Sequence, residues 1–173
     1  MGRCTGIWGV ESVWLPSEAE WEYACRSGSD GMYSFVGGEE ELGRYGWYGE
    51  GWKSGSTHGV GLLKPNVMGL CDMHGNVWEW CGDVWDRKAY GKRESGWVAR
   101  TWEAEDTGEG VEPWGYGLNR VLRGGSWLDG PMLCRSACRD GCGPGGGDFV
   151  GFRLVCRETG PDLATGGSVD NRI

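Results

Sequence analysis

Arg120-Val-Leu-Arg-Gly-Gly-Ser-Trp127 and Gly151-Phe-Arg-Leu-Val155 decide how this chain folds. Val121-Leu122 and Phe152-Arg-Leu-Val155 have strand composition, and each run sits beside glycine or a large ring. The two runs frame residues 128–150, whose composition is unlike theirs: rich in Gly and Cys, with no Glu, Gln, Lys, Thr or Asn. So few large apolar groups cannot build a core element. The segment is expected to be a loop displayed on a rigid frame.

The 173 residues suit one domain large enough for a genuine core. The 35 glycines show no Gly-X-Y period, and 12 tryptophans argue against disorder, so the expected chain is loop-rich and pinned by rings. A net charge of −8 opposes nucleic-acid binding, which needs a basic stripe to displace counterions. The first residues lack the charged start and apolar run of a signal peptide, and no apolar stretch is long enough to span a membrane. Localisation stays open. The eight cysteines are Cys4, Cys25, Cys71, Cys81, Cys134, Cys138, Cys142 and Cys156; reduced thiols are expected over disulfides.

Leu15-Pro-Ser-Glu-Ala-Glu-Trp-Glu-Tyr-Ala24 begins a helix, with Ser17 and Glu20 at capping-box spacing, Trp21, Ala24 and Cys25 on its buried face, and Gly28 at its end. Glycine and aromatic residues alternate through 29–64 without a period, as expected of irregular loop held by rings. Pro65-Asn-Val-Met-Gly-Leu-Cys-Asp-Met-His-Gly-Asn-Val-Trp-Glu-Trp80 reads as a turn and helix passing into a strand, with His74 and Gly75 in a turn. Residues 86–117 read as a solvated connector, most acidic over Glu103–Gly110. The expected organisation is a single domain over 1–157 and a flexible tail over 158–173.

Three blocks, 15–24, 65–80, and 120–127 with Cys134-Arg-Ser-Ala137 and 151–155, resemble the formylglycine-generating enzyme family, also called sulfatase-modifying-factor domains. The resemblance covers residues 15 to 157 and implies a mixed α+β, C-type-lectin-like fold with little regular secondary structure. A full catalytic member carries a sizeable region before the first block; here Met1 lies 14 residues before Leu15, so a reduced version is expected. For catalytic members the resemblance also implies two cysteines five residues apart that bind Cu(I), a metal suited to soft thiolates, and activate oxygen. Cys134 matches the downstream member of that pair, but Asp129 stands five residues before it. A carboxylate is a poor Cu(I) ligand, so no catalytic residue is assigned. Cys134 remains the candidate for the alternative, a copper-dependent oxidase that makes formylglycine on a client cysteine.

A subset of these domains serves as the variable proteins of diversity-generating retroelements, which mutate a repeat at template adenines. Randomising both adenines of an AAC codon cannot yield Glu, Gln, Lys, Met or Trp, and between Gly124 and Phe152 only Trp127 and Met132 fall outside the reachable set. The resemblance therefore implies a hypervariable display module that binds a protein or cell-surface ligand through 128–149. Its implied ligand-binding positions are Leu128, Asp129, Gly130, Pro131, Leu133, Cys138, Asp140, Gly141, Cys142, Gly143, Gly145, Gly146, Gly147 and Phe149. Mostly small, they predict weak affinity for any one ligand. The competing readings are an ordinary Gly-rich loop of a non-catalytic relative and the oxidase.

Other constellations have two readings each. Cys134, Cys138 and Cys142 recur every four residues and on a helix could hold zinc or an iron–sulfur cluster; otherwise Cys134 is a buried thiol and the others are incidental. Asn76 and Glu79 offer oxygens to a structural calcium, or form an Asn turn with a solvent-facing Glu. His58 and His74 lie in different blocks, which leaves no His-rich metal centre. Trp78, Trp80, Trp85 and Trp127 are expected to be core pins, and Arg123, Arg135 and Arg153 framework partners. No cofactor is required, and a monomer is expected.

Overall fold

The computed structural model describes residues 10–92, 119–143 and 145–158. The acidic run Glu103–Gly110 and the predicted tail from 159 onward lie outside the described residues. The chain divides into two compact units, Leu15–Arg153 and a smaller one formed by both ends of the sequence. In the smaller unit β1 (Val10–Trp14) pairs antiparallel with β6 (Val155–Glu158), Trp14 opposite Val155.

The larger unit is mixed and loop-rich, with helices α1 (Glu18–Arg26) and α2 (Glu39–Leu42) and a four-stranded sheet in the order β4-β3-β2-β5. Its strands are β2 (Trp78–Val84), β3 (Arg120–Arg123), β4 (Arg139–Cys142) and β5 (Val150–Gly151). β3 runs antiparallel to both β2 and β4, whereas β5 is parallel to β2. A fold-defining detail departs from expectation: part of the Gly-rich segment is itself a strand, β4, hydrogen-bonded along β3 with Arg139 opposite Arg123.

The helix start is as the sequence dictates. Ser17 caps α1, its hydroxyl accepting from the Glu20 amide while the Glu20 carboxylate accepts from the Ser17 amide. Ser27, in the left-handed region at φ 49°, ends the helix just before Gly28. Trp21 and Cys25 pack with Met73, Cys81 and Val121 of the main core, Ala24 beside them. Glu18 and Glu22 of α1 reach partners far along the chain. Glu18 is buried and takes a bidentate grip from Arg139, both contacts 2.6 Å, while Glu22 pairs with the fully buried Arg123. Partial burial works against ionisation of Glu22, yet Arg123 and then Arg26 hold its carboxyl below the usual range.

The helix expected within 65–80 does not form. Gly69, Asp72, Gly75 and Asn76 all have positive φ, which breaks any helical run, and the Asn66 side chain organises the turn instead. Its Oδ1 accepts from the amides of Met68 and Leu70, and its Nδ2 donates to the carbonyls of Ala24 and Cys25. Val67, at the tip of this turn, is exposed.

His74 was expected merely to close a turn, and the structure buries it at 1% exposure. Its Nδ1 lies 2.8 Å from the Cys134 carbonyl and its Nε2 3.2 Å from the Ser34 amide. The carbonyl only accepts and the amide only donates, so the ring is the neutral tautomer protonated on Nδ1. Tyr33 and Phe35 meet it edge-on, next to a second core cluster of Tyr33, Leu42 and Cys134. Burial lowers the His74 pKa from 6.5 to about 4, the carbonyl contact offsetting only part of this. With the folded-state value depressed, the stabilisation is complete above 6.5 and is lost as pH falls toward 4. The expected loss reaches about 3 kcal/mol. Urea denaturation across that window should show His74→Gln with a flatter pH slope than the wild type, and equal slopes would overturn this assignment.

Candidate functional site

The predicted display segment leaves the sheet through Gly124 and Gly125, whose φ values of 99° and 74° suit glycine alone. Close approach adds a second reason: a Cβ on Gly125 would lie 2.8 Å from Cys134 Sγ. The chain then runs beside 49–50, with the Glu50 amide donating to Trp127 O and the Gly49 amide to Asp129 O, both at 2.8 Å. Trp127 turns inward and is 4% exposed.

The Asp129 carboxylate closes this turn. Its Oδ2 accepts from Trp78 Nε1 at 2.8 Å, from the Ser126 amide at 2.9 Å and from the Ser126 hydroxyl at 2.5 Å. Three donors on one anionic oxygen satisfy and orient it. Asp129 is half-buried, so its carboxylate belongs chiefly to the frame.

Cys134 follows as a buried thiol in contact with Tyr33 and Leu42. Burial, then the charges of Asp129 and Cys138, push its pKa up to about 12. Such a thiol stays protonated at neutral pH and is a poor nucleophile. The donor set does not suit Cu(I): a carboxylate engaged by Trp78 and Ser126 replaces one thiolate, and the other is a buried neutral thiol. The described residues contain no group of three or more His, Cys, Asp or Glu able to hold a metal.

The helical reading of Cys134, Cys138 and Cys142 fails for a geometric reason. Arg139–Cys142 is extended as β4, so spacing by four no longer places the thiols on one face. The seven cysteines among the described residues are all free. The solvent-facing reading of Glu79 also needs correction. Glu79 is 5% exposed and receives Arg153 at 2.5 and 2.7 Å and Trp21 Nε1 at 2.6 Å. Asn76 Oδ1 accepts from the His58 amide and its Nδ2 donates to the His58 carbonyl. Neither side chain offers a free oxygen for calcium, and the Arg153 guanidinium already supplies the local positive charge. His58 lies apart from His74, stacked on Trp47 at 3.9 Å and 2.6 Å from a Glu50 carboxylate oxygen.

The other predicted positions divide in two. Gly130, Leu133, Asp140, Gly145, Gly146 and Gly147 are exposed; Leu128, Pro131, Cys138, Gly141, Cys142, Gly143 and Phe149 are partly covered. Gly141 is a packing position, because a Cβ there would lie 2.3 Å from Trp85 Cγ. Phe149 meets Trp52 edge-on at 6.2 Å. Sequence reasoning overlooked Arg139, whose guanidinium grips Glu18 and lies 4.6 Å from the Trp85 ring and 4.8 Å from the Tyr90 ring. An arginine among glycines was its only signal. No local pattern links it to a helix more than a hundred residues earlier.

Residues 4–158 match the sulfatase-modifying factor enzyme 1-like domain. The formylglycine-generating enzyme of Streptomyces coelicolor is 33% identical over 90% of this chain, which covers 49% of that protein. Among solved structures, Treponema denticola variable protein 1 superposes with a TM-score of 0.61 at 36% identity, over 84% of this chain and 48% of that one. PvdO from Pseudomonas aeruginosa superposes with a TM-score of 0.64 at 31% identity, over 84% and 52%. The chain thus spans about half the length of these relatives.

Two substitutions separate a packed position from an open one. Gly141→Ala should cost about 1–3 kcal/mol by overpacking against Trp85, whereas Gly145→Ala, which meets nothing within 4 Å, should leave the thermal midpoint unchanged. Equal midpoints for the two variants would show that β4 is not packed on Trp85.

Proposed function

The chain belongs to the sulfatase-modifying factor enzyme 1-like family, and within it we propose that this member is a ligand-displaying module of the variable-protein kind and not an oxidase. The observation that carries this reading is the Asp129 carboxylate, held by Trp78 and Ser126 where the family resemblance requires a copper thiolate. Without that thiolate the oxygen-activating chemistry loses a ligand, and Cys134 alone cannot replace the pair. The structural likeness to Treponema denticola variable protein 1 supports the same direction.

The segment meets the physical needs of a display. Its start is fixed by Asp129, its middle by Cys134 and Arg139, and its end by pairing of Val150 with Trp78 on β2. Exposed Leu133, Asp140 and Gly145–Gly147 stand between those anchors. In this reading the exposed positions carry the ligand contacts, with Leu128 and Phe149 at their edges, and the ligand is a protein or cell-surface target. Anchoring removes most of the ordering cost that a free loop would incur on binding.

Copper titration of the reduced protein tests the choice directly. Weak, non-stoichiometric Cu(I) uptake, unchanged by Cys134→Ala, is expected; tight stoichiometric binding lost in that variant would restore the oxidase. Sequencing the source locus across many cells tests diversification. Substitutions should concentrate at the exposed positions of 128–149 while Asp129 and Arg139 stay fixed, and a uniform segment with no nearby imperfect repeat would defeat retroelement diversification.

A further inference from the structure

Resting on that display reading, we propose that the face built from the 32–36 loop, α2 and the 130–135 turn is a docking surface for a cationic protein segment with an apolar face. Two regions distant in sequence, 32–42 and 130–136, are tied together at this face. The Tyr33 hydroxyl donates to Pro131 O at 2.9 Å, and the Ser136 amide donates to Met32 O at 2.8 Å. Leu42 of α2 packs with Tyr33 and Cys134 in one buried cluster, which fixes the helix beneath the turn.

What this platform presents to solvent is apolar. Val36 is 97% exposed, Met32 53%, Met132 51% and Leu133 43%, so these side chains gain little from folding and have apolar area left to bury. Two of the four are methionines, which conform to differently shaped partners. Met32 and Val36 lie outside the segment predicted to vary, so the surface joins a constant part to the displayed Leu133.

The rim decides the sign of the partner. Asp30, Glu39 and Glu40, from the same stretch of chain as Met32 and Val36, are exposed. Burial first, then the Glu39 charge, raises the Tyr33 phenol pKa, which is consistent with Glu39 standing beside the contact with Pro131. Arg44 pairs with Glu41 at 2.7 Å, whereas Arg135 donates to the neutral Met132 O at 2.7 Å and keeps its charge, so three exposed carboxylates stand against one guanidinium. An apolar centre with an acidic rim complements Leu- or Met-bearing chains flanked by Lys or Arg. A second copy, net charge −8 with the same acidic rim, would be repelled, as would an anionic membrane.

The test uses the full chain and a helical peptide with Leu on one face and Lys on the other, measured by calorimetry. A peptide with Glu replacing Lys, and phosphatidylserine vesicles, are the comparisons. The Lys/Leu peptide should bind at least about tenfold tighter than the Glu/Leu peptide, and more weakly as salt rises toward physiological strength. Val36→Asp, Leu133→Asp and the double substitution E39K/E40K should each weaken it about tenfold, with circular dichroism and thermal midpoints unchanged because these side chains are exposed. Equal affinity for the two peptides overturns the surface, as does self-association abolished by Val36→Asp or preference for the vesicles. If Leu133→Asp alone weakens binding while Val36→Asp and E39K/E40K do not, this surface is overturned and the display reading stands. If the peptide result holds but the locus proves uniform, the surface stands and diversification falls.

Discussion

Arg123 is buried completely, and a guanidinium in that position persists only if each region around it supplies acceptors. Glu22 comes from α1, and the carbonyls of Ser136 at 3.0 Å and Cys138 at 2.5 Å come from the segment after the Gly-Gly turn. Its ring neighbour is Trp21, 5.2 Å away, whose own Nε1 donates to Glu79. One cation on β3 therefore ties the first helix, the sheet and the backbone entering β4. The parallel pairing of Arg139 with Glu18 repeats the tie one strand further out. If the helix moved, a buried cation would lose its partner; if the segment moved, the same cation would lose its carbonyls.

This arrangement explains how a glycine-rich stretch can be rigid. Hydrogen bonds and ion pairs made by a few residues fix the backbone, so the residues between them need not pack at all. Asp129, Cys134, Ser136 and Arg139 point to the frame, while Leu133, Ala137 and Asp140 point away. The same logic applies to the chemistry. A position that in an oxidase must present a soft, ionisable ligand carries here a carboxylate saturated by neighbouring donors, and the thiol that remains is buried and neutral. The Asp129 carboxylate acts here as a structural latch between Ser126 and Trp78.

Much of this was legible in the chain. The capping box at Ser17 and Glu20, the strand at Val121-Leu122 and the burial of Trp78 and Trp127 follow from local pattern and ring size. The departures have physical causes. Apolar spacing in 65–80 suggested a helix because periodicity does not register Asn66, whose side chain can replace a turn of backbone bonds. Glu79 reads as a solvent-facing carboxylate, since nothing nearby in sequence announces Arg153, and equally nothing links Glu18 to Arg139. His74 looked like a turn residue because its partners, Ser34 and Cys134, lie 40 and 60 positions away.

By itself the sequence determined the family, the frame at 120–127 and the absence of a cysteine at 129, because these are matters of residue identity in order; the strand expected over Phe152–Val155 is instead split between β5 and β6, with Phe152 and Leu154 exposed. Only the tertiary structure decided what Asp129 does, which residues of the segment are held and which are exposed, and that the loop at Met32 and Tyr33 meets the chain at 131–136. Those outcomes depend on which donors and acceptors meet across the fold. A carboxylate or a guanidinium takes its role from the partner that long-range packing brings to it, and that partner is not written in its own neighbourhood.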